Sequence, residues 1–399
     1  MLHYFNPGHE AAVLNDSPYY TPSSVQRKMQ LDLGFLPSWY AREGEKVWLE
    51  NQLDEEYLAF LSTYSLPAAS VVCPENIALH SPVLSDEKLT FWGVSPQSIQ
   101  YFRNINKKYH LSLSLPDWNP RLKELCSRLQ ARMCLEYLIE HIPGISSELL
   151  PDYYTSPEDI VEKIKKAKET HIVKSPYSSS GRGLLWLSPG DTDRASRQLL
   201  QGMFNRQSMV SLEKALDKQL DFSMQFYSDG KGCVTFLGLS AFQTDHRGNY
   251  QGTEVASQSC IDKIISASFP DWPVYYPLCK ESMIQFLTTH YASVYQGNMG
   301  VDMLIYRVGE KTFLYPCVEI NVRTTMGYLA LRLHEKVGDN KVRGHFQLDF
   351  SNQVGELLQK DREMKERYPL EVSEGKIVSG YLPLCPVRED SQYRACLLL

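Results

Sequence analysis

"PCVEINVRTTMG", residues 316–327, alternates apolar side chains with an acid, an amide and a guanidinium. On a β-strand successive side chains point to opposite faces, so Glu319, Asn321 and Arg323 are expected to share one face. The segment before it, "GVDMLIY" at residues 300–306, predicts the first strand of a hairpin. Asp302 is then expected across from the Glu319 region.

Two carboxylates and an amide oxygen would converge in such a hairpin. Hard cations such as Mg²⁺ prefer oxygen ligands and usually keep water and phosphate oxygens as the remainder. Because same-face positions lie about 6–7 Å apart along a strand, Glu319 and Asn321 would also allow two ions. A polar surface face is the alternative interpretation of these residues taken alone.

An upstream loop, "KSPYSSSGRG" at residues 174–183, has the composition of a phosphate-binding loop. Gly181 and Gly183 would let the backbone approach a phosphate closely, and Lys174 at the end of a strand would add a point charge. The donors would be the backbone amides of Ser178, Ser179 and Ser180. A flexible serine loop beside a surface lysine is the alternative.

A third segment, "LEKAL" followed by "DFSM", has residues that could bind the base and the ribose of a nucleotide. A connector with Glu213 and Lys214 would offer main-chain hydrogen bonds to an adenine. Asp221, at the start of the next strand, would offer a carboxylate to ribose hydroxyls. By itself this pattern is common.

The whole chain has 399 residues and is 43% hydrophobic, which predicts two or three packed units. Its nine cysteines include no Cys-x-x-Cys pair, so neither a zinc cluster nor a disulfide framework is indicated. A formal charge of −6 argues against a general nucleic-acid surface. No apolar run approaches the ~20 residues of a membrane span and no secretory signal is evident, so we expect a cytoplasmic protein without a membrane partner.

Residues 1–115 mix short apolar runs with helical stretches and predict a small α/β unit. Its first predicted strand ends in a Gly-containing turn, which makes His9 and Glu10 candidate ligand contacts, with an ordinary loop as the alternative. Residues 116–150 predict one linking helix with an apolar stripe; its members are Leu122, Leu125, Leu129, Met133, Leu135 and Leu138. The final "CLLL" matches a prenylation box at Cys396 without a polybasic stretch, so a terminal strand is favoured.

The order of these segments resembles the ATP-grasp superfamily. The shared order is a strand lysine with a Gly/Ser loop, a Glu-Lys connector with an acid eight residues on, then Gly-x-Asp and Glu-x-Asn-x-Arg. The resemblance covers about half of the chain and implies an α/β and α+β fold. The implied domains are a Rossmann-like substrate-side domain at 1–115, a linking helix at 116–150, a small ATP-grasp subdomain at 151–212 and a large subdomain with a C-terminal extension at 213–399.

The resemblance also implies roles for matching residues. The nucleotide would be bound by Arg128, Lys174, Ser178, Ser179, Ser180, Gly181, Gly183, Glu213, Lys214, Leu216 and Asp221. The metal ligands would be Asp302, Glu319 and Asn321, and the catalytic residues Arg323 and Lys174. Arg132 is an alternative to Arg128. Gly300 stands where D-alanyl-D-alanine ligases carry a triphosphate-binding arginine, so Arg247 or His246 would substitute.

The implied activity is an ADP-forming ligation in which a carboxylate attacks the γ-phosphate of ATP and an amine or similar nucleophile captures the acyl phosphate. The cofactors would be ATP and one or two Mg²⁺ ions, with Mn²⁺ as an alternative. The substrates would be a small carboxylate and an amine, and a homodimer is one assembly left open. Two alternatives are an ATP-binding module without ligase activity and an ATP-dependent phosphotransferase on the same fold. Thr324 and Thr325, at the start of a predicted helix, would hold a substrate carboxylate or simply cap the helix.

Overall fold

The computed structural model describes residues 1–66, 69–178, 183–191, 193–245, 248–338 and 343–399, apart from the side chains of residues 81–83. The chain forms two compact units. Unit 1 comprises Met1–Asn119, Gln251–Ile261 and Arg323–Leu399, and unit 2 comprises Pro120–Tyr250 and Asp262–Val322. The domain boundaries expected from the sequence stay predictions.

The first part of unit 1 is a parallel sheet in the order β3-β2-β1-β4. Its strands are β1 (Leu2–Tyr4), β2 (Lys46–Trp48), β3 (Ser70–Val72) and β4 (Leu89–Phe91), and its helices are α1 (His9–Asn15), α2 (Ser24–Leu33), α3 (Glu55–Thr63), α4 (Ile77–Leu84) and α5 (Pro96–Tyr109). A short 3₁₀ helix spans Leu36–Trp39. Apolar strand residues such as Leu2, Trp48 and Val72 form the core with helix residue Phe102. The expected α/β architecture is confirmed.

In unit 1, hydrogen bonds connect the residues that follow β1 to those that follow β4; we call this region the junction of β1 and β4. β1 lies between β2 and β4, so the strand order reverses between β1 and β4. Open α/β sheets bind their ligands in the crevice at such a reversal. The Asn6 side chain donates to the carbonyl of Gly93 over 2.6 Å and accepts from its N–H over 3.1 Å. The buried His9 ring lies against Gly93, where an added Cβ would come within 2.3 Å of the His9 Cγ.

Gly93→Ala is expected to lower the stability of the protein by about 1–3 kcal/mol, because the new methyl group overpacks the buried His9 ring. The thermal unfolding midpoint measures this loss. Gly202→Ala is the matched control, since the nearest atom to a Cβ there is 3.7 Å away and the position is inside a helix. A Gly93→Ala midpoint equal to that of the wild type would contradict the predicted overpacking.

Unit 2 begins with two helices, α6 (Arg121–Leu125) and α7 (Arg128–His141), where the sequence predicted one. The helix breaks because Ser127 caps a new start: its hydroxyl accepts from the N–H of Leu129 over 3.3 Å. The N–H of Arg128 donates to the carbonyl of Pro176 over 3.0 Å instead of continuing α6. Met133, assigned to the apolar stripe, is 42% exposed. A second 3₁₀ helix spans Ser147–Leu149.

A small antiparallel sheet in the order β5-β8-β6-β7 follows in unit 2. Its strands are β5 (Asp152–Tyr154), β6 (His171–Lys174), β7 (Leu184–Leu187) and β8 (Val210–Lys214), and its helices are α8 (Pro157–Lys166) and α9 (Arg194–Gln207). Lys174 is the last residue of β6, as the sequence predicted. Ile160 and Ile164 of α8 are fully buried in the core of this layer.

A larger antiparallel sheet of unit 2 contains strands in the order β13-β12-β9-β10. They are β9 (Asp217–Asp229), β10 (Val234–Thr244), β12 (Gln296–Val308) and β13 (Lys311–Asn321). Between them the chain enters unit 1 in β11 (Tyr250–Val255), returns in α10 (Gln258–Ser268) and continues into α11 (Trp272–His290). Along β9, Phe222, Met224 and Phe226 are fully buried, while Asp221 and its same-face neighbours are polar.

The C-terminal part of unit 1 pairs β11, β14 (Gly344–Phe350), β18 (Tyr393–Leu398) and β17 (Tyr381–Pro383) in that order, with antiparallel pairing throughout. It also holds α12 (Met326–His334), α13 (Glu356–Arg367) and the hairpin of β15 (Glu371–Ser373) and β16 (Lys376–Ser379). Cys396 is buried within β18, as the terminal-strand interpretation expected. In the described ranges, no helix combines the length and apolar character needed to cross a membrane.

Candidate functional site

The hairpin of β12 and β13 has the predicted pairing. Asp302 lies directly opposite Glu319, and Gly300 lies opposite Asn321. Residues paired in this way have Cβ atoms about 4.5–5.5 Å apart. The Asn321 amide nitrogen donates to an Asp302 carboxylate oxygen over 2.9 Å. The two carboxylates and the amide therefore form one cluster on one face of the sheet.

An irregularity in β13 lies beside this cluster. Leu304 pairs with Tyr315 while Asp302 pairs with Glu319, so β13 has two more residues than β12 in this interval. Pro316 lies in the irregular stretch and has no N–H to donate to a regular ladder. Because the extra residues number two, Glu319 stays on the face of Asp302, at a bulge of the kind that often adjoins active sites.

Arg323 does not lie on this strand, so the expectation that it shares the face of Glu319 and Asn321 is wrong. β13 ends at Asn321, and Arg323 is the first residue of the last segment of unit 1. The next residue, Thr324, donates its N–H to the carbonyl of Trp92 at the end of β4 over 2.8 Å. This bond takes the backbone out of the β13 ladder.

Arg128, the first residue of α7, forms an ion pair with Glu319, one of the predicted metal ligands. Its Nη2 donates to a Glu319 carboxylate oxygen over 2.9 Å and approaches the Ser178 hydroxyl at 3.4 Å. Its Nε is buried and has no partner among the described residues. Burial lowers the pKa of Arg128, but the carboxylates of Glu319 and Glu213 more than offset this, so the pKa is raised. The guanidinium is a fixed cation with an unused donor.

Lys174, the last residue of β6, forms a second ion pair. Its Nζ is 2.6 Å from a Glu213 carboxylate oxygen, and the side chains are only 9% and 11% exposed. The Ser211 hydroxyl donates to the other Glu213 oxygen over 3.2 Å. Glu213 and Lys214 belong to β8, whereas the sequence placed them in a connector. Since side chains alternate along β8, Lys214 points away and is 49% exposed.

The connector is shorter than expected, because only Ala215 and Leu216 separate β8 from β9. Asp221 lies inside β9, not at its start. Its carboxylate accepts from the Thr244 hydroxyl over 2.7 Å and from the Lys218 ammonium over 2.5 Å. Asp221 is thus held within the sheet by two donors.

The two glycines and three serines of the predicted phosphate loop are only partly described. The loop is closed at its base by the Ser175 N–H, which donates to the Gly183 carbonyl over 3.0 Å. Gly183 has φ +76°, where a side chain would be strained, and an added Cβ would lie 3.0 Å from the Ser178 Cβ. The remaining predicted loop donors lie outside the described residues; they are Ser179, Ser180 and Gly181. His246 and Arg247 lie outside them as well.

A polar patch on β9 and β10 was missed by the sequence interpretation. The Ser223 and Ser240 hydroxyls are 2.9 Å apart, and the Gln225 amide donates to Ser223 over 2.6 Å. Ser223 lies directly opposite Asp302 in the sheet, on the same face. The alternation of "DFSMQF", in which Asp221, Ser223 and Gln225 alternate with apolar residues, was the signal for this patch.

A narrow cleft adjoins Arg128 within unit 2. Its lining includes Arg132, Tyr153, Glu213 and Tyr315. Arg132 donates to Glu136 over 3.0 Å and lies 6.0 Å from the centre of the Tyr153 ring. Of the two arginines considered for nucleotide binding, Arg128 is therefore the one that contacts Glu319.

Unit 1 holds the remaining candidates. The Arg323 Nε donates to a Glu10 carboxylate oxygen over 2.5 Å, and the His9 Nδ1 is 3.8 Å from the other oxygen. Thr325 is the N-cap of α12, and its hydroxyl accepts from the N–H of Tyr328 over 3.1 Å. Thr325 therefore caps the helix, as the alternative interpretation expected, and Leu329 and Leu333 of α12 are fully buried.

The donor set fits a magnesium nucleotide. The described residues contain no group of three His, Cys, Asp or Glu side chains suited to a metal. An ion at Asp302, Glu319 and Asn321 would therefore need further oxygen ligands, which phosphate and water supply for Mg²⁺. The buried, unpartnered Nε of Arg128 fits a phosphate oxygen, because a guanidinium donates strongly to such groups.

Comparison with known proteins gives a match in structure but not in sequence. No model of a protein family matches the sequence, and no curated protein matches it. Biotin carboxylase from Campylobacter jejuni, in a β,γ-ATP complex, aligns with TM-score 0.50 and 12% identity over 100% of this chain and 86% of its own. The biotin carboxylase domain of Hydrogenobacter thermophilus 2-oxoglutarate carboxylase aligns with TM-score 0.50 and 10% identity over 100% of this chain and 85% of its own.

N5-carboxyaminoimidazole synthetase from Staphylococcus aureus, complexed with ADP, aligns with TM-score 0.49 and 12% identity over 100% of this chain and 92% of its own. At these identities the likeness concerns the fold. The chain shares the mixed α/β and α+β fold of these two biotin carboxylase structures, which is the fold that the sequence resemblance implied.

Proposed function

We propose that this chain is an ADP-forming ligase that activates a small carboxylate with ATP and transfers the acyl group to an amine or similar nucleophile. The observation that carries the proposal is the placement of Asp302 opposite Glu319, with Asn321 bonded to Asp302. The ligands of the structures that share the fold add support. They are a β,γ-ATP complex in the Campylobacter enzyme, and MgADP and bicarbonate in the Hydrogenobacter domain.

In the first step, a carboxylate oxygen of the substrate attacks the γ-phosphorus. The bond from this phosphorus to the β,γ-bridging oxygen breaks, and its electron pair leaves with ADP. Such a transfer depends on alignment and charge neutralisation more than on a protein nucleophile. Lys174 and Arg128 would neutralise the phosphate oxygens. Mg²⁺ held by Asp302, Glu319 and Asn321 would supply further charge neutralisation when bound.

In the second step, the nucleophile's lone pair attacks the acyl carbon of the acyl phosphate. The bond from this carbon to the phosphate oxygen breaks, phosphate leaves with the electron pair, and an amine gives an amide after losing one proton. Arg323 would donate hydrogen bonds to the transferring phosphate or to the oxyanion of the tetrahedral intermediate. No protein nucleophile is needed in either step.

The finer cofactor and assembly assignments belong to the same proposal. We expect one or two Mg²⁺ ions, with Mn²⁺ as a substitute, and a cytoplasmic enzyme that acts on small molecules. A homodimer is the proposed assembly, and the Hydrogenobacter domain is described as a dimer. Sedimentation of the purified chain measures the assembly directly.

The test is an ADP-release screen that crosses carboxylates with amines in the presence of ATP and Mg²⁺, with bicarbonate among the carboxylates. ADP formation that depends on one carboxylate supports the proposal. Hydroxylamine should then trap the acyl phosphate as a hydroxamate. A phosphorylated acceptor without hydroxamate would favour a phosphotransferase, and nucleotide binding without ADP formation from any pair would favour a binding module.

Lys174→Ala is expected to weaken nucleotide binding about 10- to 100-fold, because a charge-assisted bond to a phosphate oxygen is worth about 1.5–3 kcal/mol. Titration calorimetry with Mg²⁺ and ADP measures the loss without turnover. Lys163→Ala is the matched control: this lysine of α8 is 3.9 Å from Asp152 in an exposed pair. Unchanged affinity in the Lys174 variant would remove Lys174 from the nucleotide site.

A further inference from the structure

Within unit 1, Arg323 contacts Glu10, a residue that has no role in the reaction proposed above. The Arg323 Nε donates to Glu10, and the Nη1 donates to the carbonyl of Thr324 over 3.2 Å. Both ionic side chains are largely buried, at 17% and 15% exposure. The backbone beside Arg323 is fixed by the bond from the Thr324 N–H to Trp92. The guanidinium is therefore oriented by one carboxylate and one carbonyl.

Hydrogen bonds and packing hold the backbone next to Glu10. It is the second residue of α1, which begins shortly after β1 ends. The preceding turn is held by the reciprocal hydrogen bonds between Asn6 and Gly93. His9, which is 2% exposed, packs its ring against Gly93. Because each of these contacts lies at the junction of β1 and β4, the backbone next to Glu10 is held in place there.

The charge state of Glu10 suits this arrangement. Burial raises the pKa of this carboxyl, but the Arg323 guanidinium and the His9 side chain outweigh burial and hold the pKa well below its usual range. Glu10 is therefore ionised at neutral pH. An ionised, largely buried acceptor fixes the direction of a guanidinium more firmly than a neutral amide, since charge-assisted hydrogen bonds are about twice as strong.

We propose that Glu10 is a positioning residue for Arg323, and that it sets the orientation in which this guanidinium contacts the reacting groups. The inference rests on the proposed function, in which Arg323 stabilises developing negative charge. It explains why an acid follows the first strand of unit 1, at the place where α/β sheets carry functional groups. A misplacement of about 1 Å at such a residue can cost about 10²-fold in rate.

The test compares Glu10→Gln with Asp54→Asn in the full chain. Asp54 is a suitable control because its carboxylate pairs with Arg388 at 2.8 Å in the same unit and does not contact Arg323. Once a substrate pair has been found, Glu10→Gln should lower kcat about 10- to 100-fold and leave the calorimetric affinity for Mg²⁺ and ADP within about twofold. Asp54→Asn should leave both quantities unchanged. Glu10→Asp, which keeps the charge, should recover part of the loss in kcat.

A double-mutant cycle separates positioning from a purely structural role. If Glu10 acts through Arg323, Glu10→Gln should have no further effect on kcat in a chain that already carries Arg323→Ala. If the double variant instead lost kcat by the product of the two single-variant factors, the positioning role of Glu10 would be overturned. A normal kcat for Glu10→Gln in an active enzyme would overturn it too, and both results would leave the proposed function intact. Absence of ADP formation by the wild type with every pair tested would overturn both.

Discussion

Glu319→Gln is expected to reduce ATP turnover by more than about 10²-fold and to leave the fold intact. The substitution keeps the shape of the side chain but removes the negative charge that pairs with Arg128 and that the proposed metal ion would require. Changes to groups that merely support a metal ligand already cost about 10- to 100-fold, so loss of a ligand charge should cost more. ADP release at saturating ATP and Mg²⁺ measures the loss, and circular dichroism checks the fold.

Asp217→Asn provides the control for this experiment. Asp217 is a carboxylate at the start of β9 that pairs with Arg307 at 2.9 Å, and both side chains are about half exposed. Its loss removes an ion pair from the same sheet without touching the cluster of Asp302 and Glu319. Near-normal turnover of Glu319→Gln would rule out Glu319 as a metal ligand, whatever Asp217→Asn does.

Arg323→Ala should lower kcat by about 10²–10³-fold, the usual cost of removing a preorganised donor to a developing negative charge. The affinity for Mg²⁺ and ADP should change much less, so kcat and binding should separate. Arg323→Lys should recover only part of the rate, because an ammonium does not reproduce the planar donors of a guanidinium. Steady-state ADP release and calorimetry together measure this separation.

The stability of the Arg323 variants needs its own measurement. Arg323 is the charge that lowers the pKa of Glu10, so its removal leaves a largely buried carboxylate without its main partner. Arg388→Ala is the control, because it removes the arginine from a more exposed ion pair of unit 1, that of Asp54. If both variants lose similar thermal stability and similar activity, the effect of Arg323 on rate would be structural.

The hairpin was the most predictable part of the candidate site. Its two strands follow directly from period-two alternation. The turn alone would pair Asp302 with Cys317, and the two extra residues of β13 move the pairing to Glu319 on the same face. The strand that ends at Lys174 was predicted as well. These are local patterns, in which neighbours in sequence determine the conformation.

The features that sequence reasoning missed depend on distant contacts. The backbone next to Arg323 is bonded through the Thr324 N–H to Trp92, more than two hundred residues away in sequence. The break before α7 depends on the carbonyl of Pro176. The pairing of Arg128 with Glu319 needs a helix and a strand whose proximity no local pattern reports. Periodicity carries no information about such contacts.

The two ion pairs of unit 2, Lys174 with Glu213 and Arg128 with Glu319, bear on which form of the nucleotide binds. Both cations are already compensated, so a phosphate group must compete with a carboxylate for each of them. Uncomplexed ATP would take Arg128 and leave Glu319 beside the triphosphate without a counter-charge, which costs free energy. The magnesium complex brings a replacement cation for Glu319. On this basis the proposed site would discriminate in favour of metal-loaded ATP, and we expect nucleotide affinity to rise steeply with magnesium concentration.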